Sequence, residues 1–260
     1  MPELPDVEVF RRYMDETSLH QKIKSVDVLA RDILAGVSEE DLKKGVEGHR
    51  LEATRRHGKY MFASLSDDGW LAFHFGMTGY FEYSKDEEEH PEHTRVLFRF
   101  DNGYRLAFVL QRKLGKITLT GNVENFIREH NPGKDALDIS MDDFKKTLEG
   151  ARGSIKSALM NQDHIAGIGN VYSDEILFRA RLHPRANPGQ LDARTVERLF
   201  KAMKEVLKTA IGSRADPDQM PGDYLLPQRG KGGECPVCGG KIRTEKITGR
   251  TAYFCPGCQK

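Results

Sequence analysis

Cys235 to Cys258 reads CPVCGGKIRTEKITGRTAYFCPGC. Cys235 and Cys238 form one C-x2-C pair, Cys255 and Cys258 another, and the chain has no other cysteine. Two tight thiolate pairs bridged by a hairpin supply tetrahedral corners, and this spacing is that of a zinc site. Gly239-Gly240 can turn the first knuckle. KIRTEKITGRTAYF reads as a two-stranded hairpin turning at Thr248-Gly249, with Arg250 at its tip. Four cysteine ligands leave no open position, so one structural zinc ion is expected.

The rest of the chain fits that setting. It has 260 residues, 38% hydrophobic and 30% charged, with a net charge of +1. That is an ordinary globular composition, long enough for one to three domains. The start carries no cationic, apolar leader, so a cytoplasmic setting is expected, where disulfides are rare. No apolar run of 18 residues occurs, so no membrane partner is expected. Total charge gives no argument for nucleic acid, but its distribution does. Arg229 to Lys260 holds seven Lys or Arg against Glu234 and Glu245, compatible with a phosphate-facing surface. Lys85 to His93, KDEEEHPEH, reads as a solvated acidic loop.

Upstream, the texture falls into two blocks. Pro5 to Thr17 predicts a helix with Val7, Phe10, Tyr13 and Met14 on one face. Strand-like runs follow: KIKSVDVLA, RLEATRRH, KYMFASLS, WLAFHFG, RVLFRFD, YRLAFVLQ and GKITLT. Seven or eight strands punctuated by DDG and DNG turns suggest a β-sandwich or flattened barrel. After Gly121 the apolar spacing becomes helical, with Ser154 and Asp192 as N-caps. The expected fold class is therefore α+β. Its parts are an N-terminal helix and β-sandwich over 1–121, a helical domain over 122–228 and a zinc hairpin over 229–260.

Two further stretches carry chemistry. In DHIAGIGNVYSDEILFRARLHP, Asp163 to Pro184, Gly167 and Gly169 interrupt just before a periodic helix. Such glycines let backbone approach a ligand, and the N–H groups opening the helix can hold a phosphate, with Asn170 as a side-chain donor. A tight interhelical turn needs glycine for steric reasons too. The chain opens MPELPDVE. Removal of Met1 would leave Pro2 as a free secondary amine, and an α-amino group titrates near about 7.7–8.0. Attack on an aldehyde-like carbon gives an iminium that stays charged without a proton, acidifies its neighbour and drives β-elimination. Glu3 beside it can move a proton, and Asp6 follows one turn on. In isolation, Met-Pro-Glu is an ordinary helix start.

Taken together, MPELPDVE, SIKSALMNQDHIAGIGNVYSDEILFRARLHP and GRTAYFCPGCQK resemble, in order and across almost the whole chain, the formamidopyrimidine-DNA glycosylase / endonuclease VIII family. The resemblance implies a bifunctional glycosylase and apurinic/apyrimidinic lyase that removes oxidised or ring-opened bases from double-stranded damaged DNA as a monomer. By it, Pro2 is the nucleophile on C1′ and Glu3 the acid/base partner. Lys59, in RRHGKYMF, matches a phosphate-binding lysine in a β-turn. Asn170 with Gly169, and Arg250, match the grip on phosphates around a flipped nucleotide. Lys156, in the SIK stretch, adds a further phosphate contact. Met77 in HFGMTGYF matches a wedge residue, Arg112 in LQRKLG the arginine facing the orphaned base, and Leu114 stands where phenylalanine is usual.

The chain departs from that pattern in three places. Asp6 stands where glutamate is usual, LQRKLG lacks an Asp-Pro before its arginine, and Ser213 to Gln228 is short beside the lesion-capping loop. A trimmed loop would weaken 8-oxoguanine recognition while leaving ring-opened purines and oxidised pyrimidines acceptable. Two other readings accommodate part of the sequence. A catalytically silent damaged-DNA-binding protein would keep the turn and zinc hairpin without a free proline. An N-terminal-proline tautomerase leaves the cysteines unexplained.

Overall fold

The computed structural model describes residues 1–87, 89–230 and 232–260. Glu88 of the acidic run and Lys231 of the basic segment lie outside the described residues. The chain divides into two compact units, Met1–Pro2 with Asp6–Asn131 and Glu3–Pro5 with Pro132–Lys260.

In the first unit, α1 (Leu4–Thr17) is followed by β1 (Ile23–Val28), α2 (Glu39–Val46), β2 (Leu51–His57), β3 (Tyr60–Leu65) and β4 (Trp70–His74). Then come β5 (Tyr80–Lys85), β6 (Thr94–Phe100), β7 (Tyr104–Val109), β8 (Lys116–Thr120) and α3 (Val123–His130). Two antiparallel sheets form, ordered β1-β6-β7-β5 and β2-β3-β4-β8. Val96, Phe98, Leu106 and Phe108 of the first share one buried core with Met61, Leu71, Phe73 and Ile117 of the second, and Val7 and Met14 of α1 join it. This is a sandwich, as the alternating strands predict. Phe108 lies at its centre, 5.5 Å from Phe73 and 5.6 Å from Phe75, both edge to face. That geometry suits the ring quadrupoles.

Two elements had no clear sequence signal. In α2 only Leu42 and Val46 are buried, too few for a periodic pattern, and Ser38 caps it by accepting from Asp41 N–H. In β5, YFEYSK, long-range pairing with β7 fixes the strand. The domain boundary also differs from the expected Gly121. Val123 and Phe126 of α3 pack on Phe62 and Ala72, the other face of the second sheet, so the first unit runs to Asn131. Periodicity identifies a helix but not the neighbour that covers its apolar side.

The second unit contains β9 (Lys134–Asp135), α4 (Met141–Gly150), α5 (Ile155–Met160), β10 (Ile165–Ala166), α6 (Asn170–Arg179) and α7 (Ala193–Gly212). β11 (Arg243–Ile247) and β12 (Arg250–Phe254) close it. Ser154 and Asp192 cap α5 and α7 by accepting from Ser157 N–H and Thr195 N–H, as expected. α6 is the central helix, buried continuously from Tyr172 through Phe178. Its buried polar groups need partners. Glu175 accepts from Leu225 N (3.0 Å) and Leu226 N (2.6 Å), and burial pushes its carboxyl up to about 7. Segment 213–228 is thereby packed down, with Tyr224, Leu225 and Leu226 buried. The zinc hairpin does not stand apart as a separate lobe. Cys235, Ile242 and Cys255 share a core with Phe178 and Leu225.

Phe108→Ala should cost about 3–5 kcal/mol in urea unfolding, because the close-packed rings around it cannot collapse into the cavity. A loss under about 1 kcal/mol would show that the sandwich core is not packed as described.

Candidate active site

Glu3 is 1% exposed. Its Oε2 accepts from Gly169 N at 2.7 Å and Tyr172 N at 3.2 Å, and its Oε1 accepts from Val171 N at 2.8 Å. These are the opening N–H groups of α6, which have no partner within the helix. A cap side chain usually supplies one, but Gly169 at the N-cap has none to offer. A carboxylate from 166 residues earlier takes the place, so these N–H groups hold Glu3 and not the phosphate expected of them, and the positive end of the helix dipole favours the carboxylate. Glycine at 169 is a matter of space, since an added Cβ would lie 2.4 Å from Glu3 Oε1. Leu4 N donates to Gly167 O at 2.9 Å and fixes the adjoining residue. Pro2, one peptide bond from Glu3, is buried, and Met1 is 46% exposed.

Asn170 opens α6 on the same turn. Its Oδ1 is buried without a hydrogen-bond partner among the described residues. Its carbonyl accepts from Lys156 Nζ at 3.0 Å. Lys156 departs from the phosphate contact expected of it. It is 0% exposed, and its ammonium also donates to Ser173 Oγ (2.8 Å) and Asp174 Oδ1 (2.6 Å). Three protein oxygens enclose the charge, so Lys156 braces the turn from within. Desolvation pulls its ammonium down from the usual lysine range and pushes the Asp174 carboxyl up, and their attraction opposes both. Asp174 also binds Arg229, through Nε at 3.0 Å and Nη2 at 2.8 Å. Arg229 enters the sequence reading only as one of the seven basic residues of 229–260, and nothing there signals this buried role.

Other expected site residues belong to the first unit. Lys59 occupies the two-residue turn Gly58-Lys59 between β2 and β3, where His57 pairs with Tyr60. The neighbouring His74 imidazole is lowered, first by burial and second by the Lys59 charge. Asp6 is half-buried in the first turn of α1. Met77 and Leu114 are brought together by backbone. Gly76, at φ +61°, lies so close to the chain at 114–115 that a Cβ would meet Gly115 N at 2.5 Å. Arg112 N donates to Thr78 Oγ1 at 3.3 Å across the same gap. Arg112 and Leu114 face solvent, Leu114 at 51% exposure, while Met77 is half-buried.

The four cysteine sulfurs lie within 4.8 Å of one another. Cys235 and Cys258 Sγ are 3.7 Å apart, and Cys238 and Cys255 Sγ 3.5 Å. A tetrahedron with Zn–S bonds of about 2.3 Å has edges of about 3.8 Å, so the donor set fits one structural zinc. In the hairpin Ile247 pairs with Arg250, and Thr248 (φ 45°) and Gly249 (φ 77°) form the two-residue turn. Two positive φ values are those of a type I′ turn. Arg250 is exposed beside it.

Three family models match in series. They are the formamidopyrimidine-DNA glycosylase N-terminal domain over residues 1–117, its H2TH domain over 131–219, and a zinc finger found in FPG and IleRS over 232–260. A formamidopyrimidine-DNA glycosylase of Pelotomaculum thermopropionicum is 33% identical, aligned over 100% of this chain and 99% of that protein. One from Arabidopsis thaliana is also 33% identical, over 100% of this chain and 71% of its own length. Among solved structures, Lactococcus lactis Fpg in complex with abasic-site DNA superposes with a TM-score of 0.89 at 27% identity, covering 99% of each chain. MutM in complex with carbocyclic 8-oxo-G DNA gives 0.91 at 29%, covering 100% of each.

Gly169→Ala should push the Glu3 carboxylate off the turn and lower stability by about 1–3 kcal/mol, the usual scale of overpacking. A crystal structure of the variant with Glu3 still on all three N–H groups would contradict this. Cys238→Ser should lose zinc and hydrogen-exchange protection in β11 and β12 while the sandwich stays folded, because binding and folding of such a module are one equilibrium. Metal analysis of the wild type finding no stoichiometric zinc would overturn the assignment.

Proposed function

Because the chain belongs to the formamidopyrimidine-DNA glycosylase family, we infer that it is a base-excision repair glycosylase acting on damaged bases in DNA, and that its N-terminal proline also cleaves the strand. The observation that carries this reading is the seat of Glu3, whose carboxylate is fixed on three N–H groups at the start of α6. Catalytic groups act best when pre-positioned, and here the residue beside Pro2 is held by the N–H groups of the turn that also carries Asn170.

Removal of Met1 turns Pro2 nitrogen into a secondary amine. That nitrogen attacks C1′ of the damaged nucleotide, and the base departs with the electrons of its glycosidic bond. Loss of the amine proton and opening of the sugar give an iminium. Its positive charge acidifies C2′, and loss of that proton expels the 3′ phosphate by β-elimination. Water then releases proline. Glu3 holds and moves protons at this centre. Lys59, Asn170 and Arg250 grip phosphates, which position the duplex but carry no sequence information. Met77 and Leu114 are wedges for the opened base step, and Arg112 meets the orphaned base. Asp6, one methylene shorter than glutamate, serves the first turn of α1 rather than the damaged nucleotide. Zinc is a scaffold for the Arg250 hairpin and enters no step. The packed 213–228 segment favours ring-opened purines and oxidised pyrimidines over 8-oxoguanine, and the enzyme acts as a monomer.

Borohydride should trap the processed protein on DNA bearing an abasic site, and an uncleaved N-terminal extension should abolish trapping. Trapping that survives the extension, or maps to a lysine, would sink the proline mechanism. Glu3→Gln places an amide donor against backbone donors, so it should cost about 1–3 kcal/mol of stability. Below its melting temperature it should keep duplex affinity, with single-turnover excision down roughly 10²–10⁴-fold. Arg250→Ala should instead weaken all duplexes alike and reduce the salt slope by about one. If Glu3→Gln lost affinity as Arg250→Ala does, with residual excision explained by occupancy, the division of roles would be wrong.

A further inference from the structure

Arg229 lies outside the motifs that mark the site, yet its side chain is only 14% exposed. Its fork holds Asp174 Oδ2 through Nε and Nη2, and Nη2 also donates to Asn170 O at 3.4 Å. The Cζ of the same guanidinium lies over the Tyr253 ring on β12, 4.5 Å from its centre and two residues before Cys255. One residue therefore meets the zinc hairpin through its guanidinium carbon and the first turn of α6 through its N–H groups. Only a planar, delocalised cation can make both contacts at once.

The link to Glu3 runs through a single peptide group. Asn170 C=O and Val171 N–H belong to one planar unit and move together. Arg229 and Lys156 hold its oxygen end. Glu3 Oε1 accepts from its nitrogen end at 2.8 Å. Two cations and one carboxylate thus fix the tilt of this peptide from opposite sides. Asp174 holds the two cations in turn, one on each oxygen.

We infer that Arg229 is a positioning residue that transmits the set of the zinc hairpin to the 170–171 peptide and so fixes the Glu3 carboxylate for proton transfer. The catalytic part rests on the role given to Glu3 above; the mechanical part does not.

The test uses the full-length, zinc-loaded protein with Met1 removed. In Arg229→Met, zinc content and affinity for undamaged duplex should hold within about twofold, while amide exchange at Val171 should quicken roughly tenfold, the scale of coupling within one network. Single-turnover excision at saturating enzyme should fall by a similar factor, and Arg229→Lys should recover part of it. Tyr253→Leu leaves the Asp174 pair intact and removes only the ring under the guanidinium. It should give the same changes, smaller, and combined with Arg229→Met it should add almost nothing. Unchanged Val171 exchange in a folded Arg229→Met protein would overturn the proposal, as would an excision loss that simply tracks duplex affinity. If Arg229→Met fails to fold or to hold zinc, Tyr253→Leu decides: unchanged Val171 exchange there overturns it. A wild-type protein that does not excise would refute the glycosylase reading instead, and the exchange measurements would still decide whether Arg229 sets the turn.

Discussion

The capping of α6 by Glu3 is the interaction on which the second unit is arranged. A helix start needs acceptors for its opening N–H groups, and the residue at that N-cap is a glycine with nothing to give. Leaving those donors buried and unpaired would cost about 1–3 kcal/mol each. The remedy is a carboxylate carried in from the beginning of the chain. That solution fixes Glu3 on the turn by structural necessity.

The rest of α6 follows from its central position. A helix buried along most of its length cannot send polar side chains to water, so each must be answered by protein. Asp174 is answered by Lys156 and Arg229, and Glu175 by the amides of Leu225 and Leu226. Buried ion pairs of this kind add little net stability, because desolvation offsets the attraction. Their use here is orientation: each fixes a loop that helix packing alone would leave free. The segment before the zinc hairpin is docked by Glu175, and the hairpin's Tyr253 meets Arg229. The metal then sets the hairpin itself, whose fourteen-residue span between Lys241 and Phe254 has only a small apolar core of its own.

The sandwich unit uses a different device. The loops of Met77 and Leu114 lie where backbone meets backbone without side chains between, as at Gly76 against Gly115. Close approach there puts Met77 and Leu114 on neighbouring loops, while Phe108 packs edge to face on Phe73 and Phe75 at the end of β4. Lys59 is likewise presented by the two-residue turn that joins β2 and β3.

Much of this was legible in the sequence, because local rules fix it. Cysteine spacing gave the metal site, alternation the sandwich strands, and apolar periodicity with Ser154 and Asp192 caps the helices of the second unit. The Thr248-Gly249 turn needed only its own chemistry, since few residues accept two positive φ values. The start of the chain and the glycine-rich turn were both visible as separate signals. That they meet was not, because no local pattern couples residues 3 and 169. The side to which α3 packs, the pairing that makes β5 a strand, the inward turn of Lys156 and the role of Arg229 were decided by tertiary structure alone. In each case the sequence states what a residue can do, and burial and partners decide which of those uses has the lowest free energy.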